Sequence, residues 1–193
     1  MPSPIGHALA GLAAGWVVAP ASTDRPVRVA RGVVFVVAAT AADLDLLVGM
    51  HRGPTHSLAA AVLAGIVAWL WYGRRRAGHD GAPLRRDAHR MAAAVAAAVA
   101  THTLLDWLGA DSSPPVGLMA LWPFSRDYYA SHLDLFLAIS RRYGRPDFWP
   151  SNFHAVAREA LILVPVAAMV WIWTVRRRVS RTRGGDGGRR AER

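Results

Sequence analysis

"MAAAVAAAVATHTLLDWLGA", residues 91–110, is the stretch that decides how this chain folds. Its first ten residues are Met, Ala and Val only. The whole run is long enough to cross a hydrocarbon core as a helix, which takes about 20 apolar residues at a rise of about 1.5 Å each. Two residues break the pattern, His102 and Asp106, four positions apart. On a helix such residues lie on one face, so the pair can share an ion or simply hydrogen-bond. The spacing alone leaves both open.

Four further apolar runs lie at roughly 5–20, 30–49, 57–73 and 159–175. Only 30–49 reaches the same length, and the last contains Pro165, which a membrane helix tolerates. Across 193 residues, 53 % are hydrophobic and 19 % charged, a balance shifted toward the apolar side of soluble domains. The expected fold class is therefore all-α, a polytopic membrane helical bundle with about five transmembrane or membrane-embedded helices. The helical domain is placed at 1–178, with an outer loop and amphipathic segment at 111–157 and a disordered basic tail at 179–193. The opening "MPSPIGH" lacks the positive start of a signal peptide, so the first run reads as a retained helix. With no cysteine, disulfides and thiolate ligands are excluded. Any metal would be held by imidazole and carboxylate, which suits zinc first, then manganese, iron or magnesium.

All 23 basic residues are Arg, and the net charge is +10. Their distribution points to a membrane rather than to a specific nucleic-acid partner. With the N-terminus outside and five spans, the inner segments hold Arg25, Arg28 and Arg31; then Arg74–Arg76 with Arg85, Arg86 and Arg90; then the eight arginines from Arg176 onward. That bias matches the positive-inside rule for a bacterial inner-membrane protein with a cytoplasmic C-terminus. The basic tail is expected to rest on anionic membrane lipid.

An orientation fixed by arginines alone also sorts the other polar residues. His7, Asp43, Asp45, His51, His56, His102, Asp106, His154 and Glu159 all fall at the outer ends of their runs. An Asp facing lipid at mid-helix costs about 2.5–3.5 kcal/mol, so intramembrane acids normally face a cavity, a partner or an ion. Carboxylates that meet without a cation repel, and a divalent metal with neutral imidazoles resolves the conflict. Asp43 and Asp45 stand about 200° apart on a continuous helix. Both can be ligands only if the helix ends there; otherwise one binds metal and the other orients a histidine. In "HRGPTHSLA", residues 51–59, Gly53-Pro54 makes a turn and Thr55 or Ser57 caps helix three, with His56 in its first turn. Arg52 reads either as an anion-binding group or as a partner of Asp45. His79 and His89 read as solvated surface. "YYASHLDLF", with His132, suits an amphipathic helix on the membrane surface, and "LWPFSRDYY" and "YGRPDFWP" supply interfacial aromatics for an outer lid or anchor.

"GHALAG", "AADLDLL", "HRGPTHSL" and "THTLLDWLG", in that order with apolar helices between them, resemble the YdjM-type bacterial membrane proteins over roughly residues 1–125. The resemblance implies an inner-membrane, metal-dependent hydrolase, distantly similar to zinc-dependent phospholipase C and P1-type nuclease. Those enzymes order their ligands as an early His, an Asp, a His and an HxxxD pair, matched here by His7, Asp43 or Asp45, His56, and His102 with Asp106. Their later ligands are not matched: no His follows the pair until His132, and His154 and Glu159 are five apart rather than four. One or two ions, not three, are implied.

The leading expectation is a hydrolase open to the outer face, with His7, Asp43, His56, His102 and Asp106 as metal ligands. Asp45 or Glu159 is expected to act as base, and Arg52 or Arg126 to steady a phosphate. A phosphoester or lipid-headgroup substrate follows from the resemblance and the membrane depth. One alternative is a non-catalytic scaffold or regulatory protein with a structural metal. Another is an ion or proton transporter, which the apolar inner halves of helices three and five disfavour. No GxSxG, no Gly-rich phosphate loop and no internal repeat is present.

Overall fold

Ser3 and Pro4 open the first helix: the Ser3 hydroxyl accepts from the Gly6 amide, and Pro4 fills a position that needs no N–H donor. In the computed structural model, which describes residues 1–49, 52–75, 82–111 and 113–190, this helix, α1, runs Pro4–Val18 and stops ahead of Pro20. The second, α2, runs Arg25–Thr40. There the backbone tightens into 3-10 turns over Ala41–Val48, ended by Gly49 at φ 70°, a left-handed conformation suited to glycine. A second short 3-10 turn, Pro54–His56, leads into α3, Leu58–Arg75. Ser57 caps α3, accepting from the Ala60 amide at 3.1 Å. The last two helices are α4, Ala82–Leu108, and α5, Phe148–Arg190. Among the described residues the only β-type pairings are two isolated bridges, Gly109 with Phe136 and Leu118 with Tyr129.

Helix α4 is the axis of the molecule. Met91, Ala94, Val95, Ala98, Val99, His102, Leu105 and Asp106 are all buried, at the three-and-four spacing of one helical face. That face packs on α1, α2 and α3, while α1 also contacts α2 and α5. Close approach depends on small residues. A Cβ on Gly15 would overlap the Phe35 ring, and one on Gly11 would overlap Ala39; Phe35 and Ala39 are fully buried. Outside this core the helices expose Val29, Val33 and Val37 of α2, Leu63 and Val67 of α3, and Leu161 and Met169 of α5. So broad an apolar surface is of the kind that marks contact with lipid or protein. By length and composition two segments suffice to cross a membrane, Arg86–Leu108 and Phe148–Arg177; α1 and α3 are apolar but shorter.

The start of α1 and the ends of α2 and α4 gather at one end of the bundle, and the arginine-bearing termini at the other. Arg90, early in α4, donates to the carbonyls of Val18 and Ala19 at the end of α1, and Arg31 donates to Pro20. Several sequence expectations are changed. The 30–49 run is not one helix, because the α-helix ends at Thr40. The expected outer loop ends earlier, since α5 begins at Phe148, and the α5 backbone continues past residue 178 to Arg190. "YYASHLDLF" forms no amphipathic helix. His132 and Asp134 there take left-handed backbone angles, φ 56° and 48°, which no α-helix accommodates, and the backbone of this stretch is taken up elsewhere. Tyr129 pairs with Leu118, Ser131 donates to Trp107, and Leu135 donates to Leu108. His51 and His79 lie outside the described residues.

Replacing Gly15 by Val is expected to lower the melting temperature of the detergent-purified protein, by an overpacking cost of about 1–3 kcal/mol. Gly73→Ala, where a Cβ meets nothing within 4 Å, is expected to leave it unchanged. Thermal unfolding followed by circular dichroism distinguishes the two.

Candidate metal centre

Five side chains from four separate segments converge where α1 begins and α4 ends. His7 sits in the first turn of α1, Asp43 in the 3-10 turns after α2, His56 just before α3, and His102 and Asp106 near the end of α4. His102 Nε2 lies 3.2 Å from Asp106 Oδ2 and 3.7 Å from Asp43 Oδ1. His56 Nε2 lies 3.5 Å from Asp106 Oδ2 and 3.7 Å from Asp43 Oδ1. His7 Nε2 lies 3.4 Å from Asp106 Oδ1. The rings of His7 and His102 stack at 3.8 Å, and that of His56 stands edge-on to His102 at 4.7 Å.

These donors fit a cation better than they fit one another. Both ring nitrogens of His7, Nε2 of His102 and both oxygens of Asp106 are buried and make no hydrogen bond among the described residues. Buried polar atoms are ordinarily satisfied, so such a group calls for a partner. Bonds of about 2.0–2.2 Å to a tetrahedral ion place neighbouring ligand atoms about 3.3–3.6 Å apart, close to the separations seen here. Two groups of three could hold an ion, His7–Asp43–His102 and His56–His102–Asp106, each with its ligand atoms within 4.8 Å of one another. They share His102. The charge of two carboxylates is also what one divalent ion would cancel.

Neighbouring groups fix which nitrogen faces inward. His102 Nδ1 is 2.7 Å from the carbonyl of Ala39, which can only accept, so Nδ1 carries the proton and Nε2 offers its lone pair. His56 Nδ1 lies 3.2 Å from Asp45 Oδ2, and Thr55 donates to the same oxygen at 2.7 Å. The end of α2 in 3-10 turns thus separates the two acids, with Asp43 toward the cluster and Asp45 behind His56. His56 precedes α3 rather than lying in its first turn, and Ser57, not Thr55, is the cap.

The remaining candidates are placed differently. Glu159, fully buried, accepts from the Ser3 amide at 2.7 Å and from the Ser3 hydroxyl, and a Cβ on Gly6 would strike its carboxylate. It holds the N-terminus of α1, where a negative charge is favoured, and thereby the helix that carries His7. Arg52 pairs with Asp111, not Asp45, and also donates to the carbonyls of Ser113 and Pro115 and to the Met1 sulfur. It fastens the loop after α4 to the end of the bundle that holds the cluster. Arg126, His132 and His154 are exposed, and His89 is exposed beside Trp69. Ser3, Thr55, Asp111 and the Ala39 carbonyl were not among the sequence candidates. Ser before Pro at a helix start was a legible signal for the first; the other three depend on contacts distant in sequence or on a local turn.

Metal content should separate the two kinds of residue. His102→Ala is expected to abolish stoichiometric metal in the purified protein. Asp45→Asn, which leaves every proposed ligand in place, is expected to weaken binding about 10–100-fold. Competition with a chelator of known affinity measures both.

No curated protein and no solved structure matches the chain. A family model described as YdjM inner membrane protein matches residues 1–183, a span that includes all four segments of the cluster and α1 through most of α5. The chain belongs to the YdjM inner membrane protein family.

Proposed function

We propose that this protein is a divalent-metal hydrolase of the inner membrane, acting on a phosphoester or lipid headgroup at the outer face. The observation that supports this reading best is the meeting of three imidazoles and two carboxylates, with both ring nitrogens of His7, Nε2 of His102 and both oxygens of Asp106 making no hydrogen bond among the described residues. Of the five, water reaches chiefly Asp43: its side chain is 21 % exposed, against 2 % for Asp106 and 0 % for each histidine. A substrate would therefore approach past Asp43. The ion, when bound, would bring the pKa of a coordinated water to about 7 and polarise a phosphoryl oxygen. Ala39 and Asp45, beside Nδ1 of His102 and of His56, leave Nε2 of each ring turned toward the cluster. Glu159 serves by holding α1 rather than as a base, and Arg52 by holding the loop. Asp43, at the accessible edge, is then the group best placed to take a proton.

The remaining helices fit a five-helix, membrane-embedded bundle with the N-terminus outside and the C-terminus in the cytoplasm. The arginine bias supports that orientation, and the fold puts the cluster at the opposite end from Arg31 and Arg90.

A second reading has an observation of its own: the three histidines are fully buried, as in closed structural sites. In that case the metal ties α1, α3 and α4 together without turnover.

One set of measurements decides between them. On the catalytic reading, metal-loaded protein hydrolyses a phosphodiester or phospholipid, chelation stops turnover, and Asp43→Asn lowers it at least about 100-fold with the fold kept. Metal-loaded protein that melts early on chelation but never turns over any such substrate would establish the structural reading instead. Orientation is open to test because the chain has no cysteine. Ser113→Cys is expected to react with a membrane-impermeant thiol reagent in intact cells, and Arg183→Cys only after lysis.

A further inference from the structure

The end of the molecule opposite the cluster carries a second, different arrangement of charge. Arg28, Arg31, Arg90 and Arg177 line one pocket, and none of the described residues lining it is acidic; Asp24, exposed at the start of α2, lies outside that lining. Like charges repel when brought together, so each of these side chains needs something to hold it. Arg28 donates to the Thr23 carbonyl, Arg31 to Pro20, and Arg90 to Val18 and Ala19, while Arg177 lies over the Trp173 ring at 3.6 Å. A guanidinium has five N–H donors; the contacts of Arg28 and Arg90 use one and two of them, and that of Arg177 with the ring face uses none. The other donors of these three side chains can meet oxygens within the pocket.

Beside this pocket runs an apolar groove between α1, α2 and α5. Leu12, Val29, Val33, Val36 and Val37 line it. Trp16 and Arg28 line both groove and pocket, and Trp16 meets Trp171 at 4.9 Å on the α5 side. A cationic cup that opens onto a hydrocarbon slot, with tryptophans at the junction, has the polarity of a phospholipid molecule. Trp is favoured at the level where headgroups meet chains, and basic pockets between membrane helices suit anionic headgroups.

We propose that this end of the protein holds an anionic phospholipid, its phosphate among Arg28, Arg90 and Arg177 and one acyl chain in the groove along α2. The charge of the cup selects an anionic over a zwitterionic headgroup, and the continuity of cup and groove selects a lipid over free phosphate. The site is distinct from the proposed metal centre, at the other end of α1.

The test is native mass spectrometry of the full-length protein in detergent, titrated with phosphatidylglycerol or with phosphatidylcholine of the same chains. Phosphatidylglycerol is expected to bind at least about tenfold more tightly. The double variant Arg28→Gln/Arg177→Gln is expected to lose at least about fivefold of that affinity, each Arg being worth roughly tenfold or less near an anionic surface. Arg74→Gln/Arg86→Gln removes equal charge outside the pocket and is expected to change it less than about twofold. Val33→Trp, which fills the groove, is expected to weaken phosphatidylglycerol binding with the melting temperature unchanged. Equal binding of the two lipids, or equal loss from the two arginine pairs, would overturn the site. Displacement of the lipid by millimolar inorganic phosphate, or an unaffected Val33→Trp variant, would overturn the acyl-chain half.

Discussion

Two carboxylates gathered at the end of an apolar helical bundle, one of them buried, are the constraint around which this molecule is arranged. Asp106 is almost wholly removed from water, and its nearest polar neighbours are the imidazoles of His7, His56 and His102. An unpaired buried charge is among the most costly features a fold can carry. Here the neighbouring side chains approach at ligand-to-ligand rather than hydrogen-bond geometry. The arrangement is therefore stable in proportion to what occupies the space between them, and a divalent cation meets the need in number, charge and distance.

The surrounding structure is built to keep those side chains aimed. Ala39 and Asp45, both near the end of α2, orient the rings of two histidines. Glu159, on α5, grips Ser3 and so sets where α1 begins. Arg52 ties the long connection after α4 down onto the same end. Each of these contacts joins elements that are remote in sequence, so the centre and the tertiary fold are specified together. Close packing of α1 on α2 through Gly11, Gly15, Phe35 and Ala39 supplies the rigid frame.

The two ends of the bundle differ in kind. One gathers imidazole and carboxylate under a covering loop; the other gathers arginine and tryptophan. For a member of an inner-membrane family, arginine gathered at one end is the bias that the positive-inside rule associates with the cytoplasmic leaflet.

Much of the design was legible in the residues themselves. The run at 91–110 announced a membrane-length helix, the HxxxD spacing put His102 and Asp106 on one face, and the arginine bias separated the two ends. Those features are local or compositional, and a helix's 3.6-residue period carries them directly. The three-dimensional fold alone decided how the outer acids divide their work. Asp43 and Asp45 are two residues apart in identical company, and only the change from α to 3-10 turns at Thr40 sends one to the cluster and the other behind His56. Glu159 and Arg52 looked like chemistry in the sequence, because an ionisable residue near an apolar run is costly wherever it points. Their partners, Ser3 and Asp111, lie 156 and 59 residues away. No local pattern encodes such a pairing; it exists only once the helices have packed.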